Sequence, residues 1–299
     1  MSKPTVFVHT NPKQLIGAIV SAHSFQRSSA NTDRFEVRII CTDEYPFVGA
    51  REGQKFLRDG IHRVWRMDDL QSFTPLRFIV PEIMNYEGRA VVVDPDVFAV
   101  ADIWQLMSRD MRDHAMMCRY RPSHRLFKPG YLSSSVMLLD CAKLRHWRCE
   151  EQFNEMFEFK RDYLKWVMLE LEPRESIAMF EDEWNDYDHF SERTKIVHNT
   201  KRLTQPWKTG LPIDFTLAEY RFGCVPSRYI RQLRRLARGK IGPEKRRYKK
   251  HPDPRQESLF FTLLSECVAA GKISLDRIRQ EMQLNHIRHD TLEVLEHFT

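Results

Sequence analysis

Apolar positions fall along the first two hundred residues in short runs, and these alternate with stretches of helical period. Thr5-Val6-Phe7-Val8-His9 predicts an opening strand, and the turn Thr10-Asn11-Pro12 leads into Lys13 to Phe25, where Leu15, Ile16, Ile19, Val20 and His23 recur at helical spacing. Phe35 to Cys41 predicts the next strand, so the chain opens with a βαβ unit. A short helix over Arg51 to Leu57, a short strand over His62 to Trp65 and a helical stretch over Phe73 to Met84 follow. They lead to Ala90-Val91-Val92-Val93, a run that reads as a strand buried on both faces. Further strands are expected over Ala115 to Tyr120, Leu132 to Asp140 and Thr194 to Asn199. A long helix is expected over Cys141 to Asp162, with Leu144, Trp147, Phe153, Met156 and Phe157 as core rather than a binding stripe. The pattern predicts an α/β fold.

Beyond residue 225 the pattern changes. Pro226-Ser227 opens a predicted amphipathic helix in which Tyr229, Ile230, Leu233, Leu236 and Ala237 form an apolar stripe flanked by arginines, and residues 239 to 255 form a basic connector. Ser258 to Gly271 and Ser274 to Phe298 predict two or three short helices. The organisation expected is a main domain over 1–225, a basic helix and connector over 226–255, and a small C-terminal helical appendage over 256–299.

Charge sharpens this division. The formal net charge is +6, yet from Arg228 to Arg255 twelve Lys or Arg face only Glu244 and Asp253. The basicity belongs to that segment, which can pack its stripe on the domain, lie on an anionic membrane, or bind a polyanion; nucleic acid is the least favoured partner. No apolar run is long enough to span a bilayer and no leader pattern opens the chain, so a cytoplasmic protein is expected, with 226–250 as a candidate peripheral contact on the inner face of a membrane. The six cysteines lack CxxC spacing, which favours reduced, buried thiols over zinc ligands.

Candidate chemistry centres on Asp94-Pro95-Asp96. Two carboxylates at the end of a buried strand lie where open α/β sheets bind ligands, and hard oxygens suit Mg²⁺ or Mn²⁺; a plain turn is the alternative reading. Arg77 precedes that strand and can either pair with a carboxylate or grip a phosphate. Ser133-Ser134-Ser135 joins small hydroxyl residues to an apolar strand, which allows close approach and hydrogen bonding to a sugar. His198 ends the last strand, and the segment from Arg121 to Tyr131 reads as a polar loop of substrate-facing type.

In this order the elements resemble the glycosyltransferase family 8 type of nucleotide-sugar transferase, with its GT-A fold, a Rossmann-like mixed sheet flanked by helices. The likeness rests on Arg77, on Val91 to Val97 as the Asp-x-Asp strand and turn, on Ser133 to Asp140, and on His198 through Pro206-Trp207, and covers about residues 5 to 210. It implies a metal-dependent hexosyltransferase that moves a sugar from a nucleoside-diphosphate donor, UDP-linked, to a hydroxyl of a glycan, glycolipid or protein with retention. Asp94, Asp96 and His198 would then hold Mn²⁺ or Mg²⁺. His9, Thr10, Asn11, Arg77, Val93, Pro95 and the three serines would line the donor, with Lys201, Arg202 or Lys208 facing its phosphates. The chain departs from the family in having Ser133-Ser134-Ser135 for Asn-Ser-Gly, Gln205 where lysine is usual, no glycine after His198 and no evident Asp-Gln pair. One of Glu170, Glu172 and Asp182 is the expected acid at the donor sugar. Two other readings stand beside this one: a non-catalytic polyanion- or membrane-binding protein on the same fold, and a metal-dependent phosphodiesterase or nucleotidyltransferase.

Overall fold

The computed structural model describes residues 2–122, 130–215, 233, 237 and 246–298, and the backbone at 221–222 and 225–226. The expected basic helix and most of its connector, like residues 123–129 of the polar loop, lie outside the described residues.

Strands β1 (Thr5–Thr10), β2 (Glu36–Cys41), β3 (Lys55–Arg58), β4 (Ile61–Val64), β5 (Arg89–Val93), β6 (Val97–Ala99), β7 (Met116–Arg121), β8 (Tyr131–Asp140), β9 (Ile177–Met179), β10 (Asp186–Tyr187) and β11 (Ile196–His198) carry the fold. A six-stranded sheet runs β2-β1-β5-β8-β7-β9, and a three-stranded one runs β10-β11-β6. The large sheet is mixed, because β1 pairs parallel with β2 and β5 while β8 runs antiparallel to both β5 and β7. The α/β class expected from the pattern is what the chain builds.

Apolar alternation sets the layers. Ala90 and Val92 of β5 join a core on one face of the sheet with Phe7, Met137, Leu139 and Trp147; Val91 and Val93 join the other with Val6, Val8, Val136 and Leu138. Every one of these side chains is buried, and each contributes roughly 1.5–3 kcal/mol when it is a full valine or leucine. A strand packed on both faces cannot slip register without exposing one set, so the position of Asp94, one residue past β5, is fixed by its own sequence.

Helix α1 (Leu15–Arg27) crosses from β1 to β2 and meets β6 through small residues. Ser21 Oγ donates to the Val97 carbonyl, Ser24 Oγ accepts from the Ala99 amide at 2.8 Å, and Ser28 Oγ donates to the Ala99 carbonyl at 3.0 Å. One turn earlier, a Cβ at Gly17 would stand 2.8 Å from the Pro95 carbonyl oxygen. Gly17, Ser21, Ser24 and Ser28 thus form a helical face on which the chain after Asp94 rests.

On its other flank α1 packs against the C-terminal helices Pro254–Ala269, Leu275–Gln283 and Thr291–Leu295. Ile16, Val20, Phe98, Trp207, Phe260 and Phe261 share one buried cluster, in which Trp207 stacks on Phe260 with ring centres 4.7 Å apart. Among the described residues no helix is long and apolar enough to cross a membrane.

Three local expectations are corrected. Arg51 to Leu57 is not helical, since β3 and β4 form a hairpin around Asp59-Gly60, both at positive φ as the mirror-image two-residue turn requires. Pro75 and Pro81 divide the Phe73 to Met84 stretch into a 3₁₀ turn, Thr74–Phe78, and a short helix, Val80–Ile83. The long helix over Cys141 to Asp162 is only Cys149–Phe157; the Glu82 carboxylate accepts the Cys149 amide at 2.6 Å where it starts, and Phe159, at φ 60°, lies just past its end. Leu144, Trp147, Phe153 and Met156 are nonetheless core.

Candidate functional site

The site forms where β5 ends and three other elements converge. Asp94 continues the ladder, its amide donating to the Ser135 carbonyl at 3.1 Å, and its carboxylate then turns to Arg77. Arg77 Nη2 lies 2.6 Å from both Asp94 oxygens, Nη1 donates to Ser134 Oγ at 2.7 Å, and the whole side chain is buried. His9 Nε2 approaches Asp94 Oδ1 at 2.8 Å from β1. Burial by itself would raise the Asp94 pKa, but the Arg77 charge and the His9 hydrogen bond outweigh it and hold the carboxyl well below the usual carboxylate range. His9 is pushed the other way: its burial favours the neutral ring and lowers its pKa.

Of the two roles open to Arg77 in the sequence, the structure shows the pairing one. It ties β1, β5 and β8 together at one point.

Asp96 and His198 complete the cluster. Ligand atoms of Asp94, Asp96 and His198 all lie within 4.8 Å of one another. His198 belongs to β11, whose pairing with β6 sets His198 opposite Val97, the residue after Asp96. Its Nδ1 donates to Asn185 Oδ1 at 2.8 Å, and Asn185 Nδ2 donates to Ser135 Oγ at 3.1 Å. With its proton on Nδ1, the ring presents the Nε2 lone pair to Asp96 Oδ1, 3.4 Å away. Asp96 Oδ2 accepts from Gln205 Nε2 at 3.1 Å, whereas Oδ1 is buried without a hydrogen-bond partner. With the ring neutral, two lone pairs face each other there, and a proton or a cation between them removes the repulsion. That orphaned oxygen, the oriented nitrogen and the spare acceptor capacity of Asp94 Oδ2, bonded among the described residues only by Arg77, fit a small divalent cation.

The other expected residues divide by location. Thr10 and Asn11 are buried beside His9, with Asn11 Nδ2 donating to Ser72 Oγ at 2.9 Å; Val93 and Pro95 are buried at the turn. Ser133 and Ser135 share a hydrogen bond of 2.8 Å on the side of Asn185, while Ser134 turns to Arg77. A register shift between Cys118 and Arg119 in the β7–β8 pair accompanies this change of direction, as bulges near sites do. Lys201 is exposed, and Arg202 lies 5.3 Å over the Phe215 ring. Lys208 is fully buried and forms an ion pair with Asp214 at 2.7 Å. Glu172 binds His146 and the Trp147 indole, Glu170 is exposed, and Asp182 pairs with Arg119 at 2.9 Å in the turn that carries Asn185.

Asn185, Gln205 as an Asp96 partner, and Gly17 were not identified from sequence. The small-residue period of 17, 21, 24 and 28 was a usable signal for the last of these; no local signal marks Asn185.

No protein-family model matches the chain, and no curated protein matches it. Its fold is similar to those of solved glycosyltransferases. These include the galactosyltransferase LgtC in complex with donor and acceptor sugar analogs (13% identity, TM-score 0.46, covering 68% of this chain and 89% of that one). They also include the glycosyltransferase GlyE of Streptococcus pneumoniae TIGR4 (11%, 0.48, 91% and 64%) and mouse xyloside xylosyltransferase 1 (14%, 0.43, 67% and 98%).

Proposed function

We propose that the protein is a metal-dependent glycosyltransferase that moves a sugar from a nucleoside-diphosphate sugar, UDP-linked, to a hydroxyl acceptor with retention of anomeric configuration. The observation that carries this reading is the pairing of an Nε2 lone pair on His198 with the orphaned Oδ1 of Asp96, beside Asp94 and a wall of serine hydroxyls at the end of a central strand.

In this reading Asp94, Asp96 and His198 hold Mn²⁺ or Mg²⁺, which when bound supplies a positive charge for the pyrophosphate of the donor. Arg77 fixes the Asp94 carboxylate, and Asn185 fixes the His198 tautomer. His9, Thr10 and Asn11 line the nucleoside side, and Ser133 and Ser135 offer hydroxyls to the sugar. In the transfer the bond from the anomeric carbon to the phosphate oxygen breaks, the acceptor oxygen bonds to that carbon, and the acceptor proton leaves with the nucleoside diphosphate or to solvent. Lys201 and Arg202 are the phosphate-facing cations of choice, since Lys208 already has Asp214. Of the three candidate acids, Asp182 is favoured because its turn carries Asn185.

The test is a thermal-shift and hydrolysis screen of common nucleotide sugars with Mn²⁺, run on wild type and Asp96→Asn. The expected result is Mn²⁺-dependent stabilisation by one donor, release of nucleoside diphosphate, and loss of both in the variant. Folded wild type that neither binds nor turns over any donor, or a variant that behaves like wild type, overturns the reading. Release of nucleoside monophosphate would assign the site to a phosphodiesterase instead.

A further inference from the structure

One ring away from His198, the site opens onto a basic and aromatic face. Tyr187 pairs in register with His198, and their ring centres are 5.6 Å apart. Two arginines of β7 stack on Tyr187, Arg119 with its Cζ 4.2 Å and Arg121 with its Cζ 4.4 Å from the ring centre. The register places Arg119 opposite Ser133 and Arg121 opposite Tyr131, so both arginines sit on the rungs next to the serine wall.

The two arginines are not equivalent. Arg119 is paired with Asp182 at 2.9 Å and also donates to the Asn185 carbonyl, so its charge is balanced. Arg121 has no carboxylate partner among the described residues and is partly exposed at the rim. A guanidinium stacked on an aromatic face keeps its in-plane N–H fork free, the geometry that takes a carboxylate or phosphate bidentately. Tyr131, opposite Arg121 in the register and partly exposed, flanks it with a surface suited to a sugar ring.

We infer that Arg121, stacked on Tyr187, forms an anion subsite on the acceptor side of the centre, so that the acceptor is a saccharide bearing a phosphate or carboxylate group. The inference rests on the glycosyltransferase reading. It adds what that reading leaves open, the charge class of the acceptor.

The experiment compares glucose, glucose 6-phosphate and glucuronic acid as acceptor probes with the donor found in the screen. It is run on wild type, Arg121→Gln and Arg121→Lys, with inorganic phosphate as a competitor. Wild type should prefer one or both anionic probes over glucose by at least about tenfold, and phosphate should compete. Arg121→Gln should lose the preference by roughly 10- to 100-fold, the size of a charge-assisted hydrogen bond, with Arg121→Lys intermediate. The KM for the donor should not move. A preference for glucose 6-phosphate alone identifies a phosphate subsite, and one for glucuronic acid alone a carboxylate subsite. Equal use of the three probes by wild type, or a preference unchanged in Arg121→Gln, overturns the inference while leaving donor turnover intact. A raised donor KM in Arg121→Gln assigns the arginine to the donor phosphates and overturns it too. Failure of the transferase reading is separately visible as the absence of donor binding and hydrolysis in wild type.

Discussion

Arg77 holds both oxygens of Asp94 at 2.6 Å in a buried pair, whereas Asp96, two residues on, has one buried oxygen with no hydrogen bond among the described residues. Two carboxylates that look interchangeable in the sequence therefore do different work. Removing the Asp94 charge strands a buried guanidinium, which costs about 3–5 kcal/mol. Asp94→Asn is expected to lower stability by that order in urea denaturation. Asp96→Asn, which removes a charge that no arginine or lysine pairs among the described residues, should fall within about 1 kcal/mol of wild type or above it.

The hydrogen bond from His198 to Asn185 sets which nitrogen faces Asp96. Partners of this kind typically contribute 10- to 100-fold to metal affinity. Asn185→Leu should weaken Mn²⁺ binding by that factor in a paramagnetic titration without nucleotide, while Asn185→Asp, which keeps an acceptor for Nδ1, should not. Equal affinities in all three proteins would mean that Asn185 does not set Mn²⁺ affinity through His198.

Gly17 is in a helix, where alanine is intrinsically better by about 1 kcal/mol. Here the added methyl would meet the Pro95 carbonyl oxygen at 2.8 Å, and a backbone atom cannot swing aside. Overpacking costs about 1–3 kcal/mol, so the net effect of Gly17→Ala should be destabilising, accompanied by weaker Mn²⁺ binding as the Asp94–Asp96 turn shifts. Gly49→Ala, where nothing lies within 4 Å, is the control and should be neutral.

Stability should fall on acidification in two stages. His9 is lowered by burial, and its Nδ1 is buried without a partner, so below the unfolded value near 6.5 the unfolded chain binds a proton that the folded one refuses. Stability is lost from there down to the folded pKa at up to about 1.4 kcal/mol per pH unit. The depressed Asp94 carboxyl adds a second loss below about pH 4, continuing toward its folded pKa. Urea midpoints between pH 7.5 and 5 should show the first stage in wild type and a flatter profile in His9→Gln.

The strands were legible in the sequence because their cause is local. Val91 to Val93 are apolar on both faces, and a run of that kind has few alternatives to a buried central strand. The hairpin at β3 and β4 is equally local, since Asp59-Gly60 carries the turn signal that replaces the helix expected over Arg51 to Leu57. The helix expected over Cys141 to Asp162 failed for a different reason: Glu82, 67 residues earlier, sits on the Cys149 amide where the helix starts.

The sequence by itself determined that this is an α/β protein, that Asp94 and Asp96 close a central strand, and that His198 ends another, because each follows from side-chain period and the position of a turn. Only the tertiary structure decided that Arg77 belongs to Asp94, that Asn185 orients His198, that Lys208 is committed to Asp214, and that Gly17 makes room for Pro95. Those pairings join residues between 6 and 78 positions apart. Packing of the sheet against α1 and the C-terminal helices selects them, and no local pattern encodes which distant partner a buried charge will meet.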